Sequence, residues 1–312
     1  MRVHVIHENP EWIPPFTAAF AAAQVPYREL LVEDGMLDLD GEPEPGVYWS
    51  RMSASSPSRG HHLAKDHTRA LLAWLESAGR RVVNGRRVLE MEMSKVDQLS
   101  ALRAAGIDVP RTVAVVGTTG LLAAAKTVGA PFITKPNQGG KGLDVRRFDS
   151  PAALAAHVSS TDYVAPVDGI TLVQEYVPAA APFITRVEVV GGEFLYALRA
   201  DTARGGFELC PADACAITDP LCPADGSASP GLFSLREDID TTIVDRYLGF
   251  ARRHGIEIAG FEFLETADGR VVTYDVNTNT NYNAEVDAAA PCSGPDKVAL
   301  YLKRLLDEEG SA

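Results

Sequence analysis

Apolar and polar positions alternate over Arg2 to Ile6 in the period-two rhythm of a strand. Tyr27 to Val32, Val47 to Arg51 and Arg81 to Val83 read as three further strands. Between these runs the spacing turns helical. Pro14 to Ala23 is one such stretch, and His61 to Ala78 is the other, with Leu63, Leu71, Leu72, Trp74 and Leu75 inward and a stop at Gly79. An acidic, Pro- and Gly-rich stretch, Glu33 to Gly46, is a surface loop. Strands alternating with helices predict an open parallel sheet over roughly the first 85 to 90 residues. No GxGxxG fingerprint occurs there, so a dinucleotide site is not expected.

Further along, Met93 to Ala105 reads as a helix with Ser94 as N-cap and Gly106 as its stop. Ile107 to Val116 is extended, and Leu121 to Val128 is an Ala-rich helix ended by Gly129. A short apolar strand, Pro131 to Pro136, runs into the glycine-rich Asn137 to Leu143 and then a second strand, Asp144 to Phe148. Pro151 to Val158 is a helix, Ile170 to Val177 a strand, and Ile184 to Val190 with Glu193 to Arg199 a hairpin across Gly191 and Gly192. Ala203 to Pro230 has no clear period. Ile239 to His254 is a helix with a basic last turn, which suits the helix dipole. A last hairpin pairs Ile258 to Glu265 with Arg270 to Val276 across Asp268-Gly269, a strong turn signal, and Pro295 to Glu309 is a final amphipathic helix.

Composition narrows the function classes. The 312 residues are 46% hydrophobic, enough for a sizeable core, and carry a formal net charge of −13. That charge argues against bulk nucleic-acid binding. No apolar run is long enough for a membrane span, and the N-terminus lacks the pattern of a signal peptide, so a cytoplasmic protein is expected. Cys210, Cys215 and Cys222 form no CxxC pair and have no nearby histidine, which argues against zinc.

The last hairpin carries the first candidate chemistry. Period-two alternation lets Glu262 on one strand share a face with Asp275 and Asn277 on the other. Two carboxylates and an amide oxygen form a hard site suited to Mg²⁺, with water and phosphate completing the shell; the alternative is a charged hairpin facing water. In the loop Asn137 to Leu143, the main chain at Gly139, Gly140 and Gly142 can surround an anion, with Lys141 inside the loop and Lys135 just before it. It joins two strands and lacks a GK[ST] ending, so it is not a Walker A loop; the alternative is a glycine-rich turn with a solvated lysine. Gln174, Glu175, Tyr176 and Val177 end an apolar strand whose main chain can meet an adenine edge, or simply end a core strand. Arg186 and Arg199 lie on paired strands, where arginines face a site or solvent.

In this order the segments resemble the ATP-grasp superfamily, and within it the RimK-like, glutathione-synthetase-like carboxylate–amine ligases. The residues that carry the resemblance are Ser94 and Lys95, Leu102, Ala105 to Ile107, Val109 to Thr112, Phe132 to Pro136, Asn137 to Leu143, Val173 to Val177, Thr185 to Gly192, Gly260 to Glu262, and Tyr274 to Asn277. The match runs from near residue 90 to near residue 290. It departs where the family's second metal carboxylate, usually a glutamate, is Asp275, and where the usual Asn-x-x-Pro-Gly continuation becomes Asn277 to Asn283.

The resemblance implies an α/β chain with the ATP-grasp fold. It has an N-terminal parallel-sheet unit over residues 1–90, a central unit with the glycine loop over 91–177, and a C-terminal unit with the metal hairpin over 178–312. It implies ATP and Mg²⁺ as cofactors, with Mn²⁺ as the alternative ion. Glu262, Asp275 and Asn277 would hold the metal, and Lys95, Lys135, Lys141, Arg199, the loop glycines and residues 174–177 the nucleotide. Arg186 and Lys135 take catalytic roles. The reaction implied is phosphorylation of a small-molecule carboxylate followed by attack of an amine, with an amino acid or peptide as substrate, in a homodimer or homotetramer. Arg51, Ser53, Asn279, Asn281 and Asn283 are the candidate substrate contacts; for the asparagines, local turn bonding is the alternative. A small-molecule kinase and a nucleotide-binding module without turnover are the competing functions.

Overall fold

A computed structural model describes residues 1–140, 142–205 and 231–311. Lys141, Cys210, Cys215, Cys222 and most of the 203–230 segment lie outside the described residues. The expected parallel sheet is present, built from β1 (Arg2–His7), β2 (Tyr27–Leu31), β3 (Gly46–Ser50) and β4 (Arg81–Val83) in the order β2-β1-β3-β4. Every pairing in it is parallel. The order reverses between β1 and β3, and open parallel sheets present a crevice at the carboxyl ends of such a pair.

The second sheet is antiparallel, in the order β5-β8-β6-β7, from β5 (Thr112–Val116), β6 (Phe132–Pro136), β7 (Arg146–Phe148) and β8 (Ile170–Glu175). The glycine loop joins β6 to β7. The third sheet is also antiparallel, in the order β11-β10-β9-β12-β13, from β9 (Phe183–Val190), β10 (Glu193–Asp201), β11 (Phe233–Leu235), β12 (Ile258–Glu265) and β13 (Val271–Asn277). One of its faces buries Val187, Ala197, Phe261 and Phe263 against the helix Thr241–His254 and the helix Lys95–Ala104. The other face carries the polar groups of Arg186, Glu188 and Glu262 beside a smaller apolar cluster of Ile184, Tyr196, Leu198 and Val286.

Two features depart from the sequence-based expectation. The stretch before Ser94 is itself a helix, Arg86–Met93, and the next helix starts at Lys95, with the Ser94 hydroxyl accepting from the Asp97 amide at 3.2 Å. The final helix, Gly294–Ser311, packs its Val298, Leu302 and Leu305 against Val3, Phe16, Phe20 and Trp49 of the first sheet's layer. The C-terminus of the chain therefore completes the core of its beginning.

Candidate functional site

Strand register assembles the site. Glu262 on β12 lies directly opposite Asp275 on β13 and Arg186 on β9, and Gly260 lies opposite Asn277 and Glu188. Cross-strand partners share a face, so Arg186, Glu188, Glu262, Asp275 and Asn277 all project from the face turned away from the helices Thr241–His254 and Lys95–Ala104. A bulge after Glu262 shifts the register by one residue and brings Tyr274 to the same cleft.

Arg186 is fully buried there. It donates from Nε to Glu188 Oε1 at 2.6 Å, from Nη1 to Glu262 Oε1 at 2.9 Å and from Nη2 to Thr280 Oγ1 at 2.7 Å. Gly260 makes room for it, since a Cβ at that position would stand 2.3 Å from Arg186 Nε. A glycine inside a strand commonly marks such a close approach. That was the available sequence signal for the Gly260–Arg186 contact. Glu188 carries a sequence signal as well, since it lies two residues along the same strand from Arg186 and so on the same face.

Across the cleft stand two lysines. Lys95 donates to Asp275 Oδ1 at 2.5 Å, and Lys135 reaches the Tyr274 carbonyl at 3.4 Å. Burial, then the neighbouring Lys95, lower the Lys135 ammonium to about 8. Burial works against the charge of Lys95 as well, but Asp275, Glu92 and Glu262 together hold it above its ordinary value. Burial pushes the Glu262 carboxyl up to about 7 against the pull of Arg186, with Asp275 adding to the rise. Asp275 is buried too, yet Lys95 and Lys135 hold it below the ordinary carboxylate range. These cross-strand carboxylates thus have separated acidities, because burial prevails at Glu262 while the two lysines prevail at Asp275.

Glu262 and Asp275, with Asn277 donating to Glu262 Oε1 at 3.0 Å, form a donor set of two carboxylates and an amide. Among the described residues no three His, Cys, Asp or Glu side chains converge as a cage. An ion here would keep positions for water and phosphate, which fits Mg²⁺ better than an all-protein Zn²⁺ or Ca²⁺ site.

The cleft continues between the second and third sheets. Lys95, Lys135, Gly139, Gly140, Gly142, Glu262, Asp275 and Asn277 line one end of it, and residues 174–177 line the other. Ile133, Leu143, Val145, Ile184 and Leu264 supply its apolar walls. The side chains of residues 174–176 are already engaged. Gln174 donates to Thr112 Oγ1 at 2.9 Å, Glu175 accepts from the Arg111 amide at 2.9 Å, and Arg147 lies over the Tyr176 ring at 4.3 Å. The segment therefore presents main chain and apolar surface rather than charged groups. Gly140 packs on the first unit, where an added Cβ would stand 3.2 Å from the Ser55 Cβ.

Arg199 is not part of this cleft. It pairs with Thr185, one residue off Arg186, so it occupies the opposite face of the sheet, where it meets Asp238 and stacks on Phe183. Its expected place among the nucleotide contacts is corrected accordingly, because alternation along β10 turns it away. Arg51 is also redirected. It is buried between Phe16 and Trp49 and donates to the Trp12 carbonyl, the Thr280 carbonyl at 3.0 Å and Asn281 Oδ1 at 2.7 Å. Burial lowers its guanidinium to about 9. Asn283 caps the helix Ala284–Ala289, accepting from the amides of Glu285 and Val286, so local bonding describes it. Ser53 bonds the Ser55 hydroxyl at 2.8 Å, and the buried Asn279 Oδ1 has no hydrogen-bond partner among the described residues.

The tail of the hairpin is gripped from the N-terminal part of the chain. Gln98 bonds both polar groups of the Val276 main chain, Asn84 donates to the Thr278 carbonyl, and Glu92 accepts from the Thr278 amide and hydroxyl. No local sequence pattern signals these contacts.

No family model matches the chain and no curated protein matches it. Solved structures do. D-cycloserine synthetase DcsG is 16% identical with a TM-score of 0.66, over 97% of this chain and 99% of its own. A RimK-domain ATP-grasp protein from Sphaerobacter thermophilus DSM 20745 is 20% identical with a TM-score of 0.63, over 97% and 100%. The ATP-grasp ligase PsnB, in a complex with its minimal precursor, Mg and ADP, is 18% identical with a TM-score of 0.64, over 97% and 96%. The chain has the ATP-grasp fold over nearly its whole length.

Proposed function

We propose that this protein is an ATP-dependent ligase that activates a carboxylate as an acyl phosphate and joins it to an amine, releasing ADP and phosphate. The observation that carries the reading is the cross-strand pair Glu262 and Asp275, faced by Lys95 and Lys135 in a cleft that Gly139, Gly140 and Gly142 also line. Phosphoryl transfer asks a protein chiefly for positioning and charge neutralisation. The fold's likeness to ligases, one of them bound to Mg and ADP, supports the choice of nucleotide and ion.

In this reading the main chain near Val177 takes the adenine edge, and Ile133, Leu143, Val145 and Leu264 cover its faces. Lys135, Lys95 and the main chain at Gly139, Gly140 and Gly142 take the triphosphate. Glu262, Asp275 and Asn277 would hold Mg²⁺, which would supply charge neutralisation for the triphosphate. A carboxylate oxygen attacks the terminal phosphorus and ADP leaves. The amine then attacks the acyl carbon, phosphate departs, and one proton is lost from nitrogen. Arg186, fixed by Glu188, Glu262 and Thr280, lies on the same face to stabilise negative charge as it develops. The acid and amine are amino acids or peptides, entering from the side of the serine loop at Ser53 to Ser56.

The test of the ion site is Glu262→Gln and Asp275→Asn. Loss of one anionic ligand should lower Mg²⁺-dependent ATP turnover by about 10²–10³. Near-wild-type turnover in both variants removes the assignment. A phosphate-release screen over amino-acid pairs and short peptides, with product mass measured, tests the ligase reading itself. Transfer of phosphate to a stable hydroxyl product would make it a kinase instead.

A further inference from the structure

Glu92 is a buried carboxylate, 7% exposed, with no arginine, lysine or histidine in hydrogen-bond contact among the described residues. Its two oxygens serve two separate parts of the site. Oε2 accepts from the Thr278 amide and the Thr278 hydroxyl, both at 2.8 Å, immediately after Asn277. Oε1 accepts from the Ala54 amide at 3.3 Å. Ala54 belongs to the serine loop that leaves β3 at the crevice beside β1, and the next residue, Ser55, stands 3.2 Å from where a Cβ on Gly140 of the glycine loop would lie. Ser55 is itself held, by Ser53 and by Arg59 at 3.0 Å. One carboxylate therefore joins the strand carrying Asn277, the serine loop and, through Ser55, the glycine loop. A buried carboxylate is costly unless hydrogen bonds satisfy its oxygens, and the Ala54 and Thr278 groups supply those bonds.

We infer that Glu92 is a positioning residue that holds the serine loop in register with the metal-ligand strand, so that a substrate seated against that loop meets the nucleotide cleft in the right place. The kinetic part of this inference rests on the ligase reading; the structural part does not. Glu92→Gln separates the two arms of the bridge. The amide oxygen can keep both Thr278 contacts, while the NH₂ group replaces Oε1 and faces the Ala54 N–H, donor against donor.

Amide hydrogen exchange and steady-state kinetics on the full chain read the outcome. In Glu92→Gln, exchange at Ala54 should quicken at least about tenfold while Thr278 stays within about threefold. The KM for ATP should stay within about twofold, and kcat/KM for the acid or amine should fall at least about tenfold. Unchanged kinetics with only a lower Tm would reduce Glu92 to a structural bridge, and a parallel rise in the KM for ATP would place its effect in the nucleotide cleft; either result overturns the inference. If Glu92→Gln does not fold, Thr278→Val removes one donor from the other arm at nearly constant volume. It should then lower kcat/KM for the acid or amine with the KM for ATP unchanged, and unchanged kinetics in that variant overturn the inference as well. If no substrate is turned over by the wild type, the ligase reading is what has failed. The exchange experiment then decides alone, and equal protection of Ala54 in wild type and variant overturns the bridge.

Discussion

A single methyl group at position 260 should disable the site. Gly260→Ala would place its Cβ 2.3 Å from Arg186 Nε and 2.6 Å from Cζ, whereas ordinary contact begins near 3.4 Å. The guanidinium, flanked by β9 and β13, must then withdraw by about 1 Å, which carries bonds now at 2.6, 2.7 and 2.9 Å towards or past the hydrogen-bond limit. A hydrogen bond to a charged group contributes about 1.5–3 kcal/mol. Losing one or two of the three, with partial relaxation, costs about 3 kcal/mol. If that loss falls on the transition state it lowers kcat about 100-fold. If it falls on the ground state it appears as a Tm several degrees lower. The two are told apart by Mg²⁺-dependent ADP formation and thermal unfolding of the same preparation. Gly249→Ala is the matched control, because nothing lies within 4 Å of a Cβ there and the residue sits inside the helix Thr241–His254. It should stabilise by about 1 kcal/mol and leave turnover unchanged. Wild-type turnover and Tm in Gly260→Ala would refute the argument that Arg186 is held in place by that glycine.

Lys135, lowered to about 8, binds an anion only in its charged form, and a bound anion raises its affinity for a proton. Nucleotide affinity should therefore be full below pH 8 and fall by up to about tenfold per unit above it; calorimetric titration of ATP across pH 7–9.5 checks this, and Lys135→Met should flatten the profile. Arg51→Met should lower the Tm by the equivalent of about 3 kcal/mol, since it strands the Trp12 and Thr280 carbonyls, yet leave the KM values of the folded enzyme unchanged. A raised KM without loss of stability would return Arg51 to the substrate site. Arg199→Ala should bind ATP within about twofold of wild type because it lies on the opposite face of the sheet; a tenfold loss would contradict that placement.

The polar cluster shows which parts of the site were readable in advance. Glu262, Asp275 and Asn277 could be placed on one face because side chains alternate strictly along a strand and Asp268-Gly269 sets the turn between them. The glycine loop was readable because three glycines in seven residues have few structural explanations. The same alternation could have excluded Arg199, had the register of β9 on β10 been known. That register depends on which residue of one strand faces which of the other, and the Gly191-Gly192 turn alone leaves it open.

By itself, the chain's apolar pattern determined the parallel sheet at the start, the two later hairpins, and the candidate lysines, glycines and carboxylates. Each of these is encoded over a few neighbouring residues, as a period, a turn or a cap. Only the tertiary structure decided what the residues after Asn277 do. Thr278 is held by Glu92, 186 residues away in sequence, and Thr280 and Asn281 by Arg51, about 230 residues away. A hydrogen bond between such distant positions leaves no trace in local periodicity, because either partner alone reads as an ordinary polar residue. The stretch where the sequence departs from its resemblance is therefore, in large part, the joint by which the beginning of the chain grips the metal hairpin, and burial made it so.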